Sequence, residues 1–128
     1  MAKSKRETGK EIINQLHEGG DTKLMKGFES IAPDFSDYIL EFVFGTLYAR
    51  DGLDIKTKQM VTLVTLAALG NANPQLAYHI RGALNLGIPR ENIVNIFIHI
   101  AGYAGFPAAN NAISTAREVF AKLDETKS

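Results

Sequence analysis

The stretch NPQLAYHIRGALNLGIP, from Asn73 to Pro89, decides how the chain is read. Asn73 caps a helix with Pro74 at its first position, where the N–H that proline lacks would have no partner anyway. Gly87 closes the same helix as a C′ glycine. Between them His79, Gly82, Ala83 and Leu86 fall at spacings of three, four and seven and share one face. That face is narrow and lined by small residues, so another helix can approach it closely. A lone histidine in such a place is most often a hydrogen-bonded core residue; the other reading is that it carries chemistry.

Working outward, the pattern stays helical. Downstream, PRENIVNIFIHIAGYAG (89–105) is a helix with Glu91 favourable to the dipole in its first turn. Pro107 opens the last helix, PAANNAISTAREVFAKL, with Ile113, Ala116, Phe120 and Leu123 as one stripe. Upstream, IKTKQMVTLVTLAALG (55–70) is polar in its first turn and apolar nearly all round after it, as a buried helix should be. Its threonines and valines make a strand the competing reading, and its length and alanines favour helix. RDGLD (50–54) is a turn, Pro33 opens a helix that runs through Tyr48, and helices over 4–18 and from about 22 to 31 precede it. Gly and Pro fall at the joints and no alternating strand pattern stands out, so the fold class is all-α. The expected division is an N-terminal helical arm (1–32), a main domain (33–124) and a frayed tail (125–128).

Composition narrows the function classes. The 128 residues fit one domain. Charge balances at 14 basic and 14 acidic residues, with no basic patch carrying base-stacking aromatics, so no nucleic-acid partner is expected. No apolar run reaches the roughly 20 residues that a membrane span needs. MAKSKRETGK is basic but no apolar segment follows it, which argues against a secretory signal and for the cytoplasm. Cysteine is absent, which excludes disulfides, thiolate metal sites and thiol nucleophiles.

Two helices carry more apolar surface than a small monomer can cover. Ile93, Val94, Ile96, Phe97, Ile98 and Ile100 point all round their helix, as do Tyr38, Ile39, Leu40, Phe42, Val43, Phe44 and Leu47 around theirs. Self-assembly is the natural solution; a central helix inside a compact monomer is the alternative. In the same apolar company stand several polar groups. His99 lies in the most apolar helix, and an antiparallel hairpin through the GIP turn brings it to a height comparable with His79. Two histidines without a third ligand do not make a metal site. Tyr48, Gln59 and Tyr103 are further candidates. Arg50 either clamps a carboxylate bidentately or pairs with Asp51 or Asp54.

Taken in order, Arg50, Leu53, Lys56, the alanine-rich helix, His79, Gly82-Ala83-Leu84, Gly87, Glu91-Asn92-Ile93 and Tyr103-Ala104-Gly105-Phe106-Pro107-Ala108 resemble the carboxymuconolactone decarboxylase family over roughly Asp34 to Leu123. The resemblance implies an alkyl hydroperoxidase D-like fold of six to seven helices around a central helical hairpin. It also implies a homo-oligomer, commonly a hexamer, with a trimer as the smaller option. The peroxidase branch of that superfamily uses a CxxC motif before the histidine and a glutamate in the preceding helix. Here the cysteine positions are Ala72 and Gln75, and the glutamate position falls near Gln59, so thiol peroxidase chemistry is not expected. The cysteine-less branch implies a cofactor-free decarboxylase or lyase acting on a small carboxylated lactone or related acid. In that scheme His79 is the general acid, and Arg50, Tyr48, His99, Tyr103 and Gln59 are substrate contacts, with no metal. The alternative is a non-catalytic helical oligomer of the same fold.

Overall fold

Glycines and prolines punctuate the helices where the sequence puts them. The computed structural model describes residues 2–126. Its elements are α1 (Lys5–Leu16), α2 (Gly20–Phe28), α3 (Pro33–Tyr38), a π-helical segment (Ile39–Leu47), α4 (Ile55–Leu69), α5 (Asn73–Asn85), α6 (Arg90–Ala104) and α7 (Phe106–Thr126). No strand occurs among the described residues. Of the residues expected as helix or strand over 55–70, Ile55–Leu69 are helix and Gly70 follows its end. Of the tail expected to fray, Glu125 and Thr126 close α7, and residues 127 and 128 lie outside those described. The chain packs as two compact units, one running to Ile55 and one from Lys56 onward.

In the first unit, Ser4 caps α1 by accepting the Glu7 N–H at 3.1 Å, the acceptor half of a capping box. Ile13 and Leu16 of α1 are buried, as are Leu40 and Phe44 of the π-helical segment, and these two elements pack against each other. Glycine permits that crossing. A Cβ on Gly9 would run into the Leu40 carbonyl, and one on Gly45 into the carbonyl of Lys5. The helix expected from Pro33 through Tyr48 is therefore continuous but not uniform, because it widens after Tyr38. The wider winding has its own bonds: the Tyr48 N–H reaches the Val43 carbonyl at 2.9 Å and the Thr46 hydroxyl donates to the Glu41 carbonyl at 2.8 Å, both five residues back.

The second unit is built around one apolar cluster. Leu63 and Ala67 of α4, Leu76, Ile80 and Ala83 of α5, Ile93, Phe97 and Ile100 of α6, and Ala109, Ala112, Ala116 and Val119 of α7 form it. α7 packs against both α5 and α6. Its alanines allow the close approach, as the small residues of α5 do from their side. α5 begins one residue earlier than the sequence suggests. Its first turn closes on the Ala72 carbonyl, which accepts the Leu76 N–H at 2.8 Å, so Ala72 stands at the cap and Asn73 is already helical. Its end is as expected. Gly87 takes φ 89°, its N–H bonds the Leu84 carbonyl at 3.0 Å, and Ile88 reaches back to Ala83 at 3.1 Å and is buried. Those two bonds are a Schellman ending. At the start of α6, Arg90 forks onto Asp124 of α7 at 2.8 and 3.2 Å, with its guanidinium 4.9 Å from the Phe120 ring centroid.

Candidate functional site

The inward stripe of α4 is Gln59, Leu63 and Ala67, at spacings of four. Two of these are hydrocarbon and one is a primary amide, so the fold removes Gln59 from water and must supply partners for it. Gln59 is fully buried. Its amide nitrogen donates to the backbone carbonyl of His79 at 2.7 Å and lies 3.2 Å from Nδ1 of the same residue's ring. One side chain of α4 thus grips both the main chain and the imidazole of one residue of α5. His79 itself is half-buried, with the Tyr78 ring edge-on at 5.2 Å. It is a hydrogen-bonded residue, and it is not sealed in packed hydrocarbon.

The other expected site residues have different surroundings. His99 is exposed on the outward side of α6, its ring 5.7 Å from that of Tyr103, which is 88% exposed. The stripe that α6 buries is Ile93, Phe97 and Ile100. His99 directly precedes the last of these and faces outward with Ile98, so the partner expected for a buried imidazole is not required. Each histidine meets its own neighbours: Gln59 and Tyr78 for His79, Tyr103 for His99. Gln59, also expected to touch substrate, is the residue that holds His79. Tyr48 and Arg50 belong to the first unit. The Tyr48 ring stacks on Phe44 at 5.3 Å and 24°, and Arg50 is exposed in the turn that follows.

Within the second unit, a cleft of about 710 Å³ lies between α6 and α7, lined by Ile98, Ala101, Phe106, Pro107, Asn110 and Ile113 among others. Phe106, the first residue of α7, is 78% exposed. A smaller, more polar cleft of about 340 Å³ is lined by Asn73, Pro74, Ala77, Asn111, Thr115 and Glu118 among others. His79 lines neither. Among the described residues no group of three or more His, Asp or Glu side chains comes together as a metal site.

The role of Gln59 as the partner of His79 is the feature that sequence reasoning missed. The signal for it was present: Gln59 is in phase with Leu63 and Ala67, so it faces the same neighbour as they do. An exposed apolar face on α4, with Val61, Val64 and Leu69, disguised that phase.

Comparison with known proteins gives a consistent result. The chain is 32% identical to a 4-carboxymuconolactone decarboxylase of Acinetobacter baylyi over 113 residues, covering 88% of this chain and 81% of that one. It is 29% identical to an uncharacterised 15.0 kDa protein of Paracoccus denitrificans over 93% of this chain and 90% of that one. It is 34% identical to a nitrosuccinic acid decarboxylase of Metarhizium robertsii over 60% of this chain and 53% of that one. The model of the carboxymuconolactone decarboxylase family matches residues 33–118, a span that takes in both the α4–α5 pair and the α6–α7 cleft. On that match the chain belongs to the carboxymuconolactone decarboxylase family.

Proposed function

We propose that this chain is a cofactor-free decarboxylase acting on a small carboxylated lactone or a related acid, with His79 as its acid. The carrying observation is the half-buried imidazole of His79, held at two points by a fully buried amide. A residue held so firmly yet not sealed off suits a group that must meet a substrate in one orientation. The decarboxylase activity of two relatives supports the same reading.

In this scheme the carbon–carbon bond to the carboxylate breaks and carbon dioxide leaves. The electron pair passes into the conjugated lactone carbonyl, and the carbon left behind then takes a proton. The lactone is its own electron sink. His79 meets the charge so released, and acid catalysis of this kind is worth roughly 10²–10⁴ in rate. In this reading Arg50 and Tyr48 orient the substrate's carboxylate, with Tyr103 or His99 as secondary contacts. The reading also has the protein working in the cytoplasm as a homo-oligomer. Val61, Val64, Leu69, Ile98 and Phe106 are all exposed in the single chain, which supports self-assembly. Among the described residues no helix is long and apolar enough to cross a membrane.

The test is release of carbon dioxide from 4-carboxymuconolactone by the intact chain and by His79→Ala, with the mass of both followed by light scattering. The parent chain is expected to turn over as a multiple of the single-chain mass, and the variant to keep that mass while losing roughly 10²–10⁴ in rate. A parent chain without turnover, or a variant as fast as the parent, overturns the reading.

A further inference from the structure

The two contacts of Gln59 fix more than the position of His79. A backbone carbonyl only accepts hydrogen bonds, so the group of Gln59 that lies 2.7 Å from the His79 carbonyl must be its NH₂. With the amide turned over, its oxygen would face that carbonyl and lose the bond. The same nitrogen is 3.2 Å from Nδ1 of the ring. It has two hydrogens: one goes to the carbonyl and the other points at Nδ1, which accepts it. An accepting Nδ1 carries no proton, so the proton of the neutral ring sits on Nε2.

We propose that Gln59 is a positioning residue that holds His79 as the neutral imidazole with its proton on Nε2, so that His79 acts as an electrophilic N–H donor. This rests on the decarboxylase reading and specifies the form in which His79 serves it. A doubly protonated ring would place an N–H at Nδ1 against the N–H of Gln59, and the pair would lose its bond. Held neutral, His79 gives its Nε2–H as a hydrogen bond to the lactone oxygen that gathers the electron pair. His79 thus serves as the acid by hydrogen bonding and keeps its proton, so no imidazolate forms; the proton that ends on carbon comes from water, whose hydroxide combines with the released carbon dioxide as bicarbonate. A neutral imidazole has the same electrophilic use where an enolate develops in triosephosphate isomerase. A glutamate at position 59 would reverse the arrangement, because a carboxylate can only accept and would draw the ring proton to Nδ1.

Long-range proton–nitrogen NMR of the full chain with ¹⁵N-labelled histidine reads this directly, because protonated and unprotonated ring nitrogens have well-separated shifts. In the parent chain at neutral pH, His79 is expected to show an unprotonated Nδ1 and a protonated Nε2. In Gln59→Glu Nδ1 is expected to become protonated, and in Gln59→Met the ring to relax to a mixture of tautomers. Turnover of the lactone is expected to fall in both variants by about tenfold or more in kcat, as a wrong tautomer does elsewhere, with KM little changed. A proton on Nδ1 in the parent, or the parent pattern persisting in Gln59→Glu, overturns the proposal. Should Gln59→Glu fail to fold, Gln59→Met carries the same readout, and an unchanged single tautomer there overturns it equally. The expected tautomers in a chain without turnover would sink the decarboxylase reading and leave the hold of Gln59 on the ring supported. Turnover with the proton on Nδ1 would sink this proposal alone.

Discussion

The two histidines of the second unit stand on successive helices and live in opposite circumstances. His79 is gripped through both its carbonyl and its ring by a buried amide, while His99 sits in solvent beside an exposed tyrosine. Each stands among aliphatic residues, Leu and Ala with one Ile in α5 and Ile and Ala with one Val in α6. What differs is phase. The polar group on α4 that falls on its inward stripe had to be satisfied, and the residue it found became ordered in consequence. The polar group on α6 that falls outside had no such need. A histidine becomes a candidate for chemistry here because a neighbour was buried beside it, and its own surroundings in sequence say little about it.

The sharpest way to break this contrast is to truncate each ring in turn. His79→Ala is expected to cost roughly 10²–10⁴ in kcat. His99→Ala removes at most one exposed contact, worth about 0.5–1.5 kcal/mol, and so should raise KM by no more than roughly tenfold. Steady-state kinetics on the carboxylated lactone reads both, and equal losses would erase the distinction. A smaller effect tests the grip itself. Gln59→Leu removes the buried amide that bonds the carbonyl and ring of His79, and is expected to lower unfolding stability by about 1–3 kcal/mol in urea titration. A loss within the ±0.5 kcal/mol or so typical of surface positions would mean that the amide holds nothing. The smallest effect is at the end of the helix that carries His79. Gly87→Ala forces a side chain into the left-handed region at φ 89°, and a loss of about 1–2 kcal/mol in the same titration is expected.

The fold was largely legible from local signals. Pro74 and Gly87 act through their own backbones, so the limits of α5 followed from them to within a residue. The π-helical segment was not legible. Its winding accompanies the crossing of Gly9 and Gly45, which lie far apart in sequence, and no periodicity within ILEFVFGTL announces it. The candidate site was half legible. His79 stood out as the polar member of a small-residue face. Gln59 drew notice for its place in the family pattern, yet its true neighbour depended on the pairing of α4 with α5. His99 lies in phase with Glu91, Asn92 and Asn95, a polar stripe that puts it on the outward side of α6, and the many isoleucines of that helix hid the stripe.

The glycine crossing in the first unit has a consequence for how this protein can vary. Where two backbones touch with no side chain between them, the first helix works as a splint for the loosely wound stretch beneath it. A chain trimmed of its opening residues would lose that brace, and the stretch would be at liberty to tighten by a residue. Everything from Ile39 to Tyr48 would then swivel, carrying the aromatic pair of Phe44 and Tyr48 to a new bearing. The opening residues, expected as a separate helical arm, are in this sense part of the instrument that aims those rings.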